Sequence, residues 1–245
     1  MKQLQIIKNI GCVLFTVVLL SCVKVPAQPR SAASKEFKMT ENTKEIYLAG
    51  GCFWGVEGYF RRIPGVRFTE TGYANGKTAK TTYHELAKTE HAETVRIIYD
   101  PATVNLEELL ARYFKIIDPF SVNKQGNDTG RQYRTGIYYT DPASEKSVRA
   151  FFDFMQKKYA QPLAVEILPL KNFVRAEEYH QDYLDKHPNG YCHITAFEME
   201  EVKKLNQQPC QITVILPSEK ELRLEVKKNT TIAQLIQEVN TEHRI

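Results

Sequence analysis

Apolar residues alternate or recur at helical spacing along most of the chain, and they predict short strands and helices in mixed order. Apolar and β-branched runs favour strands at 45–49, 66–73, 93–99, 135–139 and 164–168. Helical spacing predicts helices at 56–62, 106–117, 142–159 and 175–186. Since the pattern contains neither a Rossmann glycine fingerprint nor a repeat, it predicts a single α/β or α+β core.

The first 22 residues follow a different pattern. An apolar stretch of eleven residues at 10–20 is too short to span a bilayer but suits the core of a signal peptide. It ends in Leu-Leu-Ser-Cys at 19–22, which resembles the bacterial lipobox; a plain signal peptide is the alternative. A lipid on Cys22 and a polar tether at 23–43 predict an exported protein, anchored on the periplasmic or extracellular side of a bacterial envelope membrane.

The pattern of apolar and polar residues changes again beyond residue 202. Alternating runs at 212–216 and 222–226 predict a hairpin, and 231–239 predicts a following helix. This ββα order resembles the first half of a β-grasp module, but a segment of this length makes a poor independent core. The extension at 203–245 therefore docks on the main domain or on a partner, unless it is decorative.

Composition narrows the function. The chain has 245 residues, is 42% hydrophobic and carries a net charge of +4 with no basic block. One good core is possible, and binding to nucleic acid has no support.

The strongest candidate for chemistry is Cys52, in the Gly-Gly-Cys-Phe-Trp-Gly run at 50–55 between a predicted strand and a predicted helix. A thiol there meets the unpaired N–H groups and positive dipole end of the helix, so we expect its thiolate to be favoured. Phe53 and Trp54 would offer an apolar wall beside the sulfur. The alternative is a cysteine buried in the core.

Three further segments are candidates to meet Cys52. Glu93, beside apolar strand residues, is expected to have a raised pKa and to donate a proton, unless it is a solvated edge carboxylate. The polar loop at 118–133 contains Asp128 and is long enough to be functional rather than simple turns. Tyr73 ends a strand with a hydroxyl able to donate a hydrogen bond, unless it is a half-buried aromatic.

Five cysteines are present, and three of them remain for the mature domain: Cys52, Cys192 and Cys210. Three cysteines do not form a disulfide framework, so a reactive thiol with a resolving partner is favoured. A zinc deaminase would need Pro-Cys-x-x-Cys, and Thr213 occupies the second cysteine position, so no metal site is expected. A hydrolase pairing Cys52 with His180 or His193, and a tethered binding or redox-partner protein, stay open.

Several separated segments together resemble the A-type peptide methionine sulfoxide reductases over residues 44–195. They are Gly51-Cys52-Phe53-Trp54-Gly55, Gly72-Tyr73-Ala74, His91-Ala92-Glu93, 95–101, Gln125-Gly126-Asn127-Asp128, Gly130, Gln132-Tyr133-Arg134 and 179–184. One departure is the segment 83–90, which is shorter than the Cys-Ser-Gly-containing loop of the family and is expected to alter the pocket rim.

The resemblance implies a ferredoxin-like mixed sheet with flanking helices in a domain at 44–202. It also implies reduction of methionine-S-sulfoxide, free or in oxidised proteins, in which the Cys52 thiolate attacks sulfur and becomes a sulfenic acid. The implied roles are proton donation by Glu93, hydrogen bonds to the oxygen from Tyr73 and Tyr133, a methyl-binding wall of Phe53 and Trp54, and orientation of the loop or a water by Asp128.

The segment Asn-Gly-Tyr-Cys-His-Ile at 189–194 resembles two-cysteine members of the family, which implies that Cys192 resolves the sulfenic acid as a disulfide. Cys210 is the alternative resolving residue. The implied partner is a thioredoxin-like dithiol reductant, with no metal and no organic cofactor. We expect a monomer.

Overall fold

The computed structural model describes residues 37–205, 209–215 and 221–227. The chain divides into two units, of which one is Ser31–Asn206 and the other includes the two strands after residue 207. The predicted signal segment, most of the tether and the predicted helix at 231–239 lie outside the described residues.

The first unit combines strands with helices on a shared core. Its strands are β1 (Lys44–Gly50), β2 (Val66–Ala74), β3 (Ala92–Tyr99), β4 (Lys124–Gln125), β5 (Asp128–Thr129), β6 (Thr135–Tyr139), β7 (Glu166–Pro169) and β8 (Phe173–Arg175). Its helices are α1 (Phe53–Phe60), α2 (Leu86–Thr89), α3 (Leu106–Ile116), α4 (Pro142–Gln156), α5 (Tyr183–Lys186) and α6 (Ala196–Leu205). Two short 3-10 helices are Tyr83–Glu85 and Arg131–Tyr133.

Six of these strands form one mixed sheet in the order β7-β6-β1-β3-β2-β8. Neighbours are antiparallel except β6 and β7, which are parallel. The mixed sheet with flanking helices that the resemblance implies is therefore confirmed. Because β1 lies between β3 and β6, the turn that follows it opens at the middle of the sheet.

The main core packs α1 and α3 on one face of this sheet. Alternate residues of β1 such as Ile46 and Leu48 are fully buried there, together with Leu109 and Leu110 of α3. Burial of each such side chain stabilises the fold by about 1.5–3 kcal/mol. This packing fixes α1, whose N-terminus carries Cys52, against the sheet.

A buried tyrosine ties the end of β1 to its neighbour. The Tyr113 hydroxyl donates to the carbonyl of Ala49 at 2.6 Å and accepts the N–H of Gly136 at 3.0 Å. The strand end that precedes the Cys52 turn is thus held from α3 as well as from the sheet.

The helix predicted at 175–186 is wrong. Phe173–Arg175 instead pairs with β2, and only Tyr183–Lys186 is helical. The Gln181 side chain accepts the Thr71 N–H at 3.0 Å and donates to the Thr71 carbonyl at 2.9 Å, so this segment is bonded to the sheet. Asp182 has a φ of 54°, which also interrupts a right-handed helix.

The second unit contains β9 (Pro209–Ile215) and β10 (Glu221–Lys227), which pair antiparallel with Ile212 opposite Leu224. The predicted hairpin is therefore confirmed. Among the residues with described structure, no helix is long and apolar enough to cross a membrane.

Candidate active site

Cys52 is held at the first turn of α1 by an unusual backbone conformation. It occupies the N-cap position, and Gly51 before it has a φ of +81°. A Cβ on Gly51 would lie 2.5 Å from the Cβ of Gln125, so both the conformation and the space require glycine. The turn presents the Cys52 side chain to a buried site, where the residue is only 6% exposed.

The prediction that the helix start favours the thiolate of Cys52 is wrong in this structure. Burial raises the pKa of Cys52 far above the ordinary value, and the carboxyl of Glu93 raises it further. The N–H groups of Trp54 and Gly55 at the start of the helix lower it, but by less than burial raises it. Loss of hydration therefore outweighs the partial charge of the helix, and Cys52 carries its proton at neutral pH.

Glu93 meets the prediction of a buried, proton-holding carboxyl. It is 2% exposed on β3, and its Oε2 accepts the Phe53 N–H at 3.1 Å. Burial raises its pKa to about 8, against the opposing effect of that hydrogen bond. The carboxyl is therefore mostly protonated at neutral pH, next to the turn that carries Cys52.

Three tyrosines interact with this carboxyl, namely Tyr73, Tyr83 and Tyr133, and Tyr83 is the one that is not among the sequence candidates. Burial raises the pKa of both Tyr83 and Tyr133, and Glu93 raises both further. Their hydroxyls also interact with each other, and Cys52 acts on Tyr83. Sequence reasoning missed Tyr83; its place at the start of the short segment before His91-Ala92-Glu93 is the signal that was available.

The hydroxyl of Tyr73 is bonded to a second carboxylate. Tyr73 is fully buried, and its hydroxyl donates to Oε2 of Glu177 at 2.6 Å. A phenol has one proton to donate, and in this structure Glu177 receives it, so the bond from Tyr73 to a sulfoxide oxygen stays a prediction.

Glu177 organises this side of the site. Its Oε1 accepts the Tyr83 N–H at 3.1 Å while its Oε2 binds Tyr73. Burial raises the pKa of Glu177, but these hydrogen bonds outweigh burial and hold it below the ordinary value. The ionised carboxylate therefore holds the backbone of Tyr83 through its N–H. Sequence reasoning missed Glu177 because this residue lies in the segment at 175–186 that was predicted as a helix.

Phe53 and Trp54, which the sequence predicts as an apolar wall, directly follow Cys52, and their contact with a methyl group stays a prediction. The Trp54 ring stacks on Tyr183 with centroids 3.7 Å apart and planes 10° apart. Its indole N–H donates to Nδ1 of His180 at 3.1 Å, and the His180 ring lies 5.0 Å from that of Phe53. His180 is therefore engaged in holding the wall rather than paired with the thiol.

Asp128 reaches the same site from β5. It raises the pKa of Cys52 and of Glu93, and its Oδ2 accepts the Tyr191 hydroxyl at 2.9 Å. Asp128 therefore links the thiol site to the segment that carries Cys192.

Cys192 lies against the first turn of α1. Both Cys52 and Cys192 are free thiols, and a Cβ on Gly55 would lie 3.0 Å from the Cys192 sulfur. Gly55 thus leaves the space that the second sulfur needs, three residues beyond Cys52. The alternative, Cys210, is in β9 of the other unit, opposite Val226.

Within the described part of the chain, no group of three or more His, Cys, Asp or Glu side chains is arranged to hold a metal ion. The site thus consists of two thiols, a neutral carboxyl, three phenols and an apolar wall.

Comparisons with known proteins show the family of the chain. Methionine sulfoxide reductase A of Corynebacterium diphtheriae is 38% identical with a TM-score of 0.60, over 62% of this chain and 79% of that one. The reduced form of Mxr1 from Saccharomyces cerevisiae is 37% identical with a TM-score of 0.62, over 67% of this chain and 98% of that one. The family model described as peptide methionine sulfoxide reductase matches residues 44–211, and the chain belongs to this family.

Proposed function

We propose that the protein reduces the S epimer of methionine sulfoxide, free or within oxidised proteins, with Cys52 as nucleophile and Glu93 as proton donor. The observation that carries this proposal is the buried Glu93 carboxyl, held by the Phe53 N–H with a pKa of about 8. It keeps a proton at neutral pH beside the Cys52 thiol, so Glu93 can act as an acid toward a sulfoxide oxygen while Cys52 supplies the sulfur.

The reductase step needs the sulfoxide oxygen to accept a proton. Glu93 donates that proton while the hydroxyls of Tyr83 and Tyr133 hydrogen-bond the oxygen, whose charge grows as the S–O bond weakens. The Cys52 thiol passes its own proton to the Glu93 carboxylate, and its sulfur attacks the sulfoxide sulfur. Oxygen is transferred to Cys52, methionine leaves, and Cys52 becomes a sulfenic acid.

The preference for one epimer follows from the sides on which the groups lie. A sulfoxide sulfur is chiral and carries a methyl group, an oxygen and the rest of the side chain. With the apolar wall of Phe53 and Trp54 for the methyl and the acidic groups for the oxygen, only one epimer points its sulfur at Cys52. Asp128 serves by positioning the segment of Tyr191.

Cys192 then attacks the sulfenic acid, forming a Cys52–Cys192 disulfide and releasing water. The position of its sulfur against Gly55 supports this role over that of Cys210. A thioredoxin-like dithiol reduces the disulfide, so turnover needs neither a metal nor an organic cofactor. The protein acts as a monomer.

The proposed location is a bacterial envelope membrane, with the mature chain held by a lipid on Cys22. The Leu-Leu-Ser-Cys sequence at 19–22 supports it. Cys22→Ala should release the protein from the membrane fraction while Cys12→Ala leaves it there. Equal membrane retention of both variants would contradict the anchor.

A single-turnover assay tests the enzymatic proposal. The reduced protein is mixed with each epimer, and the methionine formed and thiols lost are counted. We expect one methionine and two lost thiols with the S epimer and none with the R epimer. Cys52→Ser should form no methionine, and Cys192→Ser should form one equivalent without recycling by thioredoxin.

Full recycling in Cys192→Ser would move the resolving role to Cys210. Methionine production by Cys52→Ser would overturn the proposed nucleophile. A hydrolase or a binding protein would form no methionine at all.

A further inference from the structure

The imidazole of His193 lies on the turn that carries Cys52. Points at which a Cβ would stand on Gly51 and Gly55 are 3.3 and 3.4 Å from Cε1 of His193. Cε1 is the ring vertex between the two nitrogens, so the nitrogen-bearing edge of the ring faces the turn between these glycines. Cys52 stands in that turn.

The same ring is close to the second thiol. The Cys192 sulfur and Cε1 of His193 both lie within 3.4 Å of the single Cβ point above Gly55. The His193 ring therefore packs on the same first turn of α1 as the Cys192 sulfur, beside the turn that carries Cys52.

Both ring nitrogens of His193 are buried, and a hydrogen bond with the Gly50 backbone acts on the ring. One backbone carbonyl can engage only one of the two nitrogens, so the other lacks a partner in the described part of the chain. A buried polar group that lacks a partner costs about 1–3 kcal/mol, so its presence beside two thiols calls for a role.

The charged groups around the ring decide its protonation. Burial lowers the pKa of His193, while Asp128 on β5, the hydrogen bond with the Gly50 backbone and Glu198 on α6 raise it by less. The imidazole is therefore neutral at neutral pH and able to accept a proton.

The disulfide step requires such a base. Burial raises the pKa of Cys192, with Glu198 opposing its ionisation and Arg62 favouring it. Little of this thiol is ionised at neutral pH, yet the thiolate is the form that attacks. The hydroxide leaving the sulfenic acid also needs a proton.

We propose that His193 is a catalytic base and acid for formation of the Cys52–Cys192 disulfide, an inference that rests on the proposed function. Its imidazole takes the proton of the Cys192 thiol, and the Cys192 sulfur attacks the Cys52 sulfur. The S–S bond forms as the S–O bond breaks, and the imidazolium returns the proton to the departing hydroxide as water. Cys192 is oxidised, the Cys52 sulfur is reduced, and His193 ends neutral.

The test is a single turnover of His193→Gln and His193→Asn at pH 6.5 to 9, with His187→Gln as the matched control. His187 is exposed in the same segment. Disulfide formation is measured by quenching samples at successive times and alkylating the free thiols. The methionine burst in the same samples shows that each variant is folded. Both His193 variants should form the disulfide at least about tenfold more slowly at pH 7, a larger loss than in the burst.

The pH profile separates a base from a space-filling ring. Without the base, the disulfide rate should rise about tenfold per pH unit with the Cys192 thiolate, so the deficit shrinks toward pH 9. The wild type and His187→Gln should vary much less. A deficit that is equal at every pH overturns the inference alone, whereas absence of the disulfide in the wild type overturns the recycling route and the inference together.

Discussion

Two buried glutamates, one beside α1 and one in it, are in almost the same physical state. Glu93, beside the first turn of the helix, is 2% exposed and Glu57, within the helix, is 1% exposed, and burial raises the pKa of each to about 8. Each accepts one backbone N–H, from Phe53 at 3.1 Å and from Asp182 at 2.8 Å. Both carboxyls therefore hold a proton at neutral pH.

Their neighbours differ. Glu93 interacts with Cys52 and with the phenols of three tyrosines, so its proton can reach a substrate. Glu57 lies beside Asp182, which pairs with Arg61 at 2.6 Å. The Oε1 atom of Glu57 is buried without a partner in the described structure. Glu57 thus fastens the segment of His180 and Tyr183 to α1, and a raised pKa alone does not identify a catalytic acid.

Replacement of each carboxyl by its amide tests this comparison most strongly. Glu93→Gln should slow the methionine burst by about 10²- to 10⁴-fold, because it removes the proton donor. Glu57→Gln retains a group that can accept the Asp182 N–H, so we expect a loss below about tenfold. The burst in a single turnover measures both, and a greater loss in Glu57→Gln would reverse the assignment.

The pH dependence of the burst sharpens the same distinction. Since Glu93 must be protonated to act and its pKa is about 8, the rate should fall by about tenfold per unit well above pH 8. Glu57→Gln should keep this fall, and Glu93→Gln should lose it. A stopped-flow series on the three proteins decides the matter, and a profile common to all three would argue against Glu93 as the acid.

The two tyrosines give the next contrast. Tyr83→Phe removes a hydroxyl that faces Glu93 and should slow the burst by about tenfold. Tyr73→Phe leaves Glu177 Oε2 without its donor, so it should lower stability by about 1–3 kcal/mol and affect the burst less. Urea unfolding and burst rates measured in parallel check both, and a larger burst deficit in Tyr73→Phe would restore its predicted role.

The smallest expected effect is on stability. Both glutamates have a folded-state pKa raised from 4.5 to about 8, so their contribution is fully present below pH 4.5 and lost as pH rises through 8. The Tm should therefore fall by several degrees between pH 6 and 9, and less so in Glu57→Gln. Thermal scans across this range measure it, and a Tm that rises with pH would contradict buried, neutral carboxyls.

Local signals were sufficient for much of the fold and for part of the site. The apolar periods predict the central strands and α3, whose Asn105 side chain accepts the Glu108 N–H as a capping residue should. The glycine-flanked Cys52 and the strand position of Glu93 are also local features. They could be predicted because spacing, capping and backbone conformation depend on near neighbours in the chain.

Short segments bonded to distant parts of the chain could not be predicted in this way. The region around Gln181 has helical spacing, but its side chain bonds to Thr71 on the sheet. The local sequence around Tyr73 and Tyr83 does not separate their roles. Glu177 separates them, because it accepts the hydroxyl of Tyr73 but the backbone N–H of Tyr83.

The sequence by itself determined which groups can do chemistry here: a thiol at a helix start, a carboxyl in a strand, and a second thiol far along the chain. Only the tertiary structure decided that burial keeps Cys52 protonated and that Cys192 lies beside Gly55. The physical reason is that hydration, electrostatic partners and free space are set by residues remote in sequence, so they exist only once the chain is packed.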